Sequence, residues 1–369
     1  MIVKNGLVLD PDGQFRIHDL FIDHTHTLAA DAFMLTEEER TVFDATGLTI
    51  LPGLVDVHIH GAVGRDFCDA DAEGLAEMAS YLKSCGITSF CPTSMTLPAD
   101  TLKEIFATAK EVPSDSSHSR VVGIHMEGPY ISPAKKGAQK EDYIRNPDVA
   151  SFHELMEASS GLVRLITIAP ELPGSMEFIR DCHDEVTISL GHSVADYTIA
   201  SQAFENGACH VTHLFNAMMP LAHRDPGIIG AAFDHDNVMV EVICDGIHIS
   251  PSVIRMIFSL FGEDRVILIS DAMRATGMED GMYELGGQDV IKKGNRATLK
   301  DGTLAGSATN LFDCMRHAVS FGIPLSSAVK AASANPARSI GNSRIGAIAP
   351  GMEADLLLVD NDLTLQRVL

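Results

Sequence analysis

A chain of 369 residues, 46% hydrophobic and 21% charged, is long enough for one large core and a smaller accessory unit. Its formal charge of −23 speaks against a nucleic-acid partner, whose phosphates demand a basic surface. No apolar run approaches bilayer length, the N-terminal "MIVKNGLVLD" lacks a signal-peptide core, and the seven cysteines show no C-x-x-C spacing. The expected setting is cytoplasmic and reduced, with no membrane partner.

In chain order, the first fifty residues read as short strands and turns: "IVKNGLVLD", "PDGQ", "IHDLFID", a helix-like "LTEEER", then "TVFDATGLTILPG". The last twenty-five, with "GAIAPGMEADLLLVD", have the same texture. Residues 1–50 and 345–369 are therefore expected to build one small β-sandwich domain, enclosing a larger domain of residues 51–344. That larger part alternates apolar strands with amphipathic helices. The strand candidates are Leu54–His60, Ile87–Pro92, Val121–Glu127, Arg164–Ala169, Val186–His192, His210–Phe215, Val238–Cys244 and Val266–Asp271. Helical patterns such as "AEGLAEMASYLKSCG", "LPADTLKEIFATAK", "DYTIASQAFENGA" and "SPSVIRMIFSLFG" lie between them, with Gly86 and Gly207 as C-terminal stops and Ser250-Pro251 as a start. Eight strand–helix units in series imply an α/β fold, a parallel (β/α)8 barrel of the TIM type.

Catalytic groups in such a barrel gather at the C-terminal ends of the strands. The first strand ends in "VDVHIHG", with His58 and His60 two apart and so on one face. The third ends at Glu127, the fifth at His192, and the sixth runs into His213 and Asn216. The seventh is followed by Asp245 and His248, and the eighth by Asp271. The second and fourth ends are blank apart from Glu171. Each residue has a plain structural alternative: a loop histidine, an Asp271 helix cap, or Glu127 paired with Lys135 or Lys136. The plain alternative wins for any one of them and loses for the set. Imidazoles and carboxylates converging on one mouth are the ligand type of a catalytic divalent-metal site. Such an ion lowers the pKa of water to about 7, and a neighbouring aspartate has the chemistry to relay the proton.

At this point the sequence resembles the amidohydrolase superfamily and, within it, the N-acetylglucosamine-6-phosphate deacetylase family. The resemblance covers nearly the whole chain, through "LPGLVDVHIHG", "HMEGPY" followed by "KKGA", "ITIAPE", "GHS", "THLFNAM", "HRDPG", "DGIHI", "SDAM", "GTLAGS" and "NPAR" in the family's order. It implies Glu127, His192 and His213 as principal metal ligands and Asp271 as the catalytic base. His58 and His60 are implied as ligands of a second ion, with Glu127 shared. It implies substrate contacts at Ala138, Asn216, Ala217 and His248 and along Leu304, Ala305 and Gly306. Arg224 is implied to reach across a homodimer interface to the neighbour's substrate phosphate. The chain departs from the family at Gln139, where a histidine usually meets the acetyl carbonyl; an amide still donates there but never becomes cationic.

The expected activity is metal-dependent hydrolysis of the N-acetyl group of N-acetylglucosamine 6-phosphate. The cofactor is one or two divalent ions, zinc first, with iron, manganese, cobalt and nickel compatible with the same ligands. The nearest alternative substrate is the galactosamine epimer or another acylated amino sugar phosphate. A sugar-phosphate-binding protein that has lost catalysis is the alternative of a different class, and Asp271 argues against it.

Overall fold

A computed structural model describes residues 1–369. Eight parallel strands form the barrel: β1 (Leu54–Ile59), β2 (Ile87–Ser94), β3 (Ile124–Glu127), β4 (Val163–Ile168), β5 (Thr187–Leu190), β6 (His210–Val211), β7 (Met239–Ile243) and β8 (Val266–Ile269). The ring closes just past β8, where Asp271 N–H donates to the His58 carbonyl and His60 N–H to that of Ala272, both at 2.9 Å. Buried on both faces, β7 and β8 read as almost unbroken runs of Val, Ile, Leu and Met.

A helix follows each strand: α1 (Ala72–Ser84), α2 (Ala99–Thr108), α3 (Val149–Ala158), α4 (Ser175–Cys182), α5 (Tyr197–Glu205), α6 (Gly227–Asp234), α7 (Pro251–Phe261) and α8 (Leu311–Ser320), and two more, α9 (Leu325–Ala332) and α10 (Ala334–Ser339), come after α8. Asp71, Asp148, Asp196 and Asn310 cap α1, α3, α5 and α8 by accepting from first-turn N–H groups. Gly86 and Gly207, just past α1 and α5, have φ of +82° and +118°, a backbone that a side chain would strain. No helix is long and apolar enough to cross a membrane.

Both ends of the chain contribute to two further sheets. One orders Leu28–Ala29, Leu20–Ile22, Ile2–Lys4 and Val42–Asp44. The other orders Leu365–Val368, Leu356–Val359, Thr49–Pro52, Leu7–Leu9 and Phe15–Ile17. Val3, Leu20, Ile22 and Leu28 of the first pack on Val8, Ile50, Leu356 and Leu358 of the second, which makes a small β-sandwich. The alternate residues Leu357 and Val359 turn to the other face and join the barrel core. Period-two side-chain direction thus glues the sandwich to the barrel.

Several expectations need correction. "LTEEER" is not helical: a short 3-10 turn spans Ala32–Met34, and Glu39 instead accepts from Thr36 N–H and His24 Nδ1. Six residues without an apolar face do not overcome the cost of nucleating a helix. The third candidate strand splits, Arg120–Val121 pairing with β2 ahead of β3. The sixth stops at Val211 because His213 and Phe215 turn left-handed. An antiparallel three-stranded sheet (Gly281–Leu285, Gln288–Lys293, Arg296–Thr298) between β8 and α8 was not anticipated.

Candidate active site

At the C-terminal mouth of the barrel a cavity of about 350 Å³ is lined by His60, Glu127, His192, His213 and Asp271. The backbone that delivers three of these is unusual. His192, His213 and Asp271 have φ of +48°, +28° and +47°. A left-handed non-glycine residue costs about 1–2 kcal/mol and persists only where its surroundings over-determine it.

Glu127 is the hub. Its Oε1 lies 3.1 Å from Nε2 of His192 and of His213, and those two nitrogens are 3.0 Å apart. The same Oε1 is 3.4 Å from His58 Nε2, while Oε2 is 3.4 Å from His60 Nε2. Asp271 Oδ1 faces the same two imidazoles at 3.5 Å and 3.3 Å. Burial disfavours charge here, yet His58 and His192 hold the Glu127 carboxyl well below its ordinary value. For His60, burial lowers the pKa, but hydrogen bonds that it donates to Asp271 and Glu127 overcome this and push it up to about 10.

This donor set fits a divalent cation. Glu127, His192 and His213 place ligand atoms within 4.8 Å of one another, as do His58, His60 and Asp271. Ligands about 2.1 Å from a tetrahedral ion stand roughly 3.4 Å apart, close to these spacings. Two imidazole nitrogens facing each other at 3.0 Å share at most one proton, so a lone pair is left aimed inward. The outer nitrogens are pinned: His192 Nδ1 donates to the Lys135 carbonyl at 2.8 Å and His60 Nδ1 to that of Thr93 at 3.1 Å.

Around this centre the anticipated contact residues separate. Ala138, Gln139, Asn216, Ala217, His248, Leu304 and Gly306 line the cavity. Ala305 does not: it is fully buried and packs with Met273, Leu285 and Ala297. Arg224 also stands outside the lining, exposed, with Nη1 2.7 Å from His223 Nε2. Gln139 is fixed at both ends, its Oε1 accepting from Thr96 N–H and its Nε2 donating to Glu127 Oε2, each at 2.7 Å.

The second strand end is not blank. Thr93 orients His60, Thr96 orients Gln139, and Met95 lines the cavity. Glu171 turns away from the cavity and accepts from Ser193 Oγ and Val194 N–H, which secures the loop carrying His192. Lys135 and Leu285 also line the cavity and were not foreseen as contacts. For Lys135 the signal was present in "KKGA"; Leu285 arrives on the unanticipated sheet.

The fold and this cluster define a barrel hydrolase of the amidohydrolase family, whose sequence model matches residues 49–368, and the chain belongs to that family. Within it the chain belongs with the N-acetylglucosamine-6-phosphate deacetylases. It is 40% identical to the Bacillus subtilis deacetylase over 85% of this chain and 81% of that one. It is 35% identical to the Bos taurus deacetylase over 98% and 87%. A Mycobacterium smegmatis deacetylase mutant solved with N-acetyl-D-glucosamine 6-phosphate superposes with a TM-score of 0.91 at 32% identity, covering 100% of this chain and 97% of that one.

Proposed function

We propose that this chain hydrolyses N-acetylglucosamine 6-phosphate to glucosamine 6-phosphate and acetate, with Asp271 as proton carrier. The observation that carries the reading is the convergence of Glu127, His192, His213 and Asp271 on one cavity, in a chain whose relatives bear that activity. Glu127, His192 and His213 would hold one divalent ion, and His58, His60 and Asp271 would hold a second. Such an ion supplies Lewis acidity toward the acyl carbonyl and acidifies water at neutral pH.

The protein's own groups do the rest. Asp271 takes a proton from the attacking water as its oxygen bonds to the acyl carbon. The same carboxyl gives that proton to the sugar nitrogen as the C–N bond breaks, so acetate and an amine leave. Gln139 Nε2 uses one N–H on Glu127, which leaves the other for the acyl oxygen. Backbone and side-chain groups of Asn216, Ala217, Leu304 and Gly306 hold the sugar, and His248 and Lys135 bring positive charge to the phosphate end. Arg224 is exposed and stands outside the lining of the active-site cavity, which suits a residue that serves a neighbour in a homodimer. A reduced, cytoplasmic setting agrees with seven unpaired cysteines.

An acetate-release assay tests this against acetylated hexosamines with and without the 6-phosphate, zinc supplied. Turnover confined to phosphorylated sugars, N-acetylglucosamine 6-phosphate first, is expected. No turnover of any phosphorylated sugar overturns the assignment.

A further inference from the structure

Glu241 lies beneath the ligand cluster, in the middle of β7, and is fully buried. A lone carboxylate inside an apolar strand is costly unless it is engaged. Its Oε2 accepts from His58 Nδ1 at 2.9 Å and from the His213 backbone N–H at 3.1 Å. A carboxylate has no proton to give, so His58 must carry its own on Nδ1. That leaves Nε2 facing Glu127 and Asp271, and this buried nitrogen has no hydrogen-bond partner. His60 and His192 are pinned by backbone carbonyls; His58 alone is pinned by a charged side chain. A carboxylate on the outer nitrogen makes an imidazole a stronger ligand as well as a better-oriented one.

We propose that Glu241 is a positioning residue that holds His58 as the Nδ1–H tautomer, Nε2 presented to a divalent ion, and ties this half of the site to the backbone of His213. The proposal rests on the ion-binding reading above. It predicts that affinity for the ion on His58 depends on Glu241 as an acceptor. The ion on Glu127, His192 and His213 depends on it much less. An ion seated on Glu241 itself, together with His58 and His125, is the competing arrangement, since their ligand atoms also lie within 4.8 Å.

The test titrates chelator-stripped protein with Co²⁺, following visible absorption and bound cobalt, for wild type, Glu241→Gln, Glu241→Leu and His58→Asn. Glu241→Leu is expected to weaken the ion that His58→Asn abolishes by about 10–100-fold. Glu241→Gln retains an acceptor oxygen and is expected to lose clearly less. Identical isotherms for wild type and Glu241→Leu overturn the proposal, as does equal loss in the Gln and Leu variants, which marks Glu241 as a ligand. A wild type with no ion sensitive to His58→Asn overturns it too. Should the Leu variant fail to fold, nitrogen-15 shifts of His58 in the wild type decide: a proton on Nδ1 supports the proposal and its absence overturns it. Failure of the deacetylase reading is a separate result, cobalt binding as described without acetate release.

Discussion

His58 and His60 stand two apart at the end of one strand, whereas Glu127, His192 and His213 come from the ends of three. The period of a strand alone puts both imidazoles of the first pair on one face, and the barrel then sets the same two carboxylates 3.3–3.5 Å away. The second set needs the whole barrel, and it needs His192 and His213 held left-handed before their Nε2 atoms meet Glu127. Strain therefore falls on His192, His213 and Asp271 and spares His58 and His60, and the unstrained pair is expected to be the more dispensable one. Losing a member of the strained set should be the costlier injury.

Replacing His192 by Asn should make the largest break: bound zinc by elemental analysis falls and acetate release drops to background. His58→Asn/His60→Asn should lose one ion at most and keep measurable turnover. Equal loss in both would erase the distinction between the two sets. Asp271→Asn comes next, with turnover down by about 10²–10⁴-fold while the ion on Glu127, His192 and His213 stays bound. Retained turnover there would remove Asp271 from its role. Arg224→Ala should raise KM for the phosphorylated sugar by roughly 10–100-fold, the size of a lost charge-assisted hydrogen bond, and leave kcat near its starting value.

How much of this was readable beforehand follows the same division. Strand ends in a barrel are linear features, so Glu127, His192, His213 and Asp271 could be picked out one by one. The 3 Å meeting of Glu127, His192 and His213 could not, because it depends on closure and on left-handed backbone at residues that carry no glycine. Glu241 was visible as a charge within "VMVEVIC" but has meaning only beside His58, 183 residues away. The resemblance placed Ala305 and Gly306 alike at the substrate; packing against Met273 separates them. In "LTEEER", good helix formers lost to local hydrogen bonds because the one apolar residue, Leu35, is buried against Ile2 and Ala29 without a helical apolar face.

The smallest expected effect concerns His248 in the cavity wall, where one carboxylate again orients one imidazole. His248 Nδ1 donates to Asp245 Oδ2 at 2.7 Å, and Asp245 Oδ1 is held by the N–H groups of Ile247 and His248. Burial lowers the His248 pKa, but the Asp245 hydrogen bond and charge, with Asp271, raise it above the ordinary histidine value. A raised folded-state pKa means that the charge on His248, and the stability it contributes, are fully present below the unfolded value and fade as pH rises through the folded one. Asp245→Asn removes the charge that holds the proton, so the fade should begin at lower pH. At pH 6 the variant should bind the phosphorylated sugar nearly as well as the wild type. By pH 8 its KM should be several-fold higher. A KM ratio that stays flat across that range would mean Asp245 shapes the loop and leaves the charge of His248 alone.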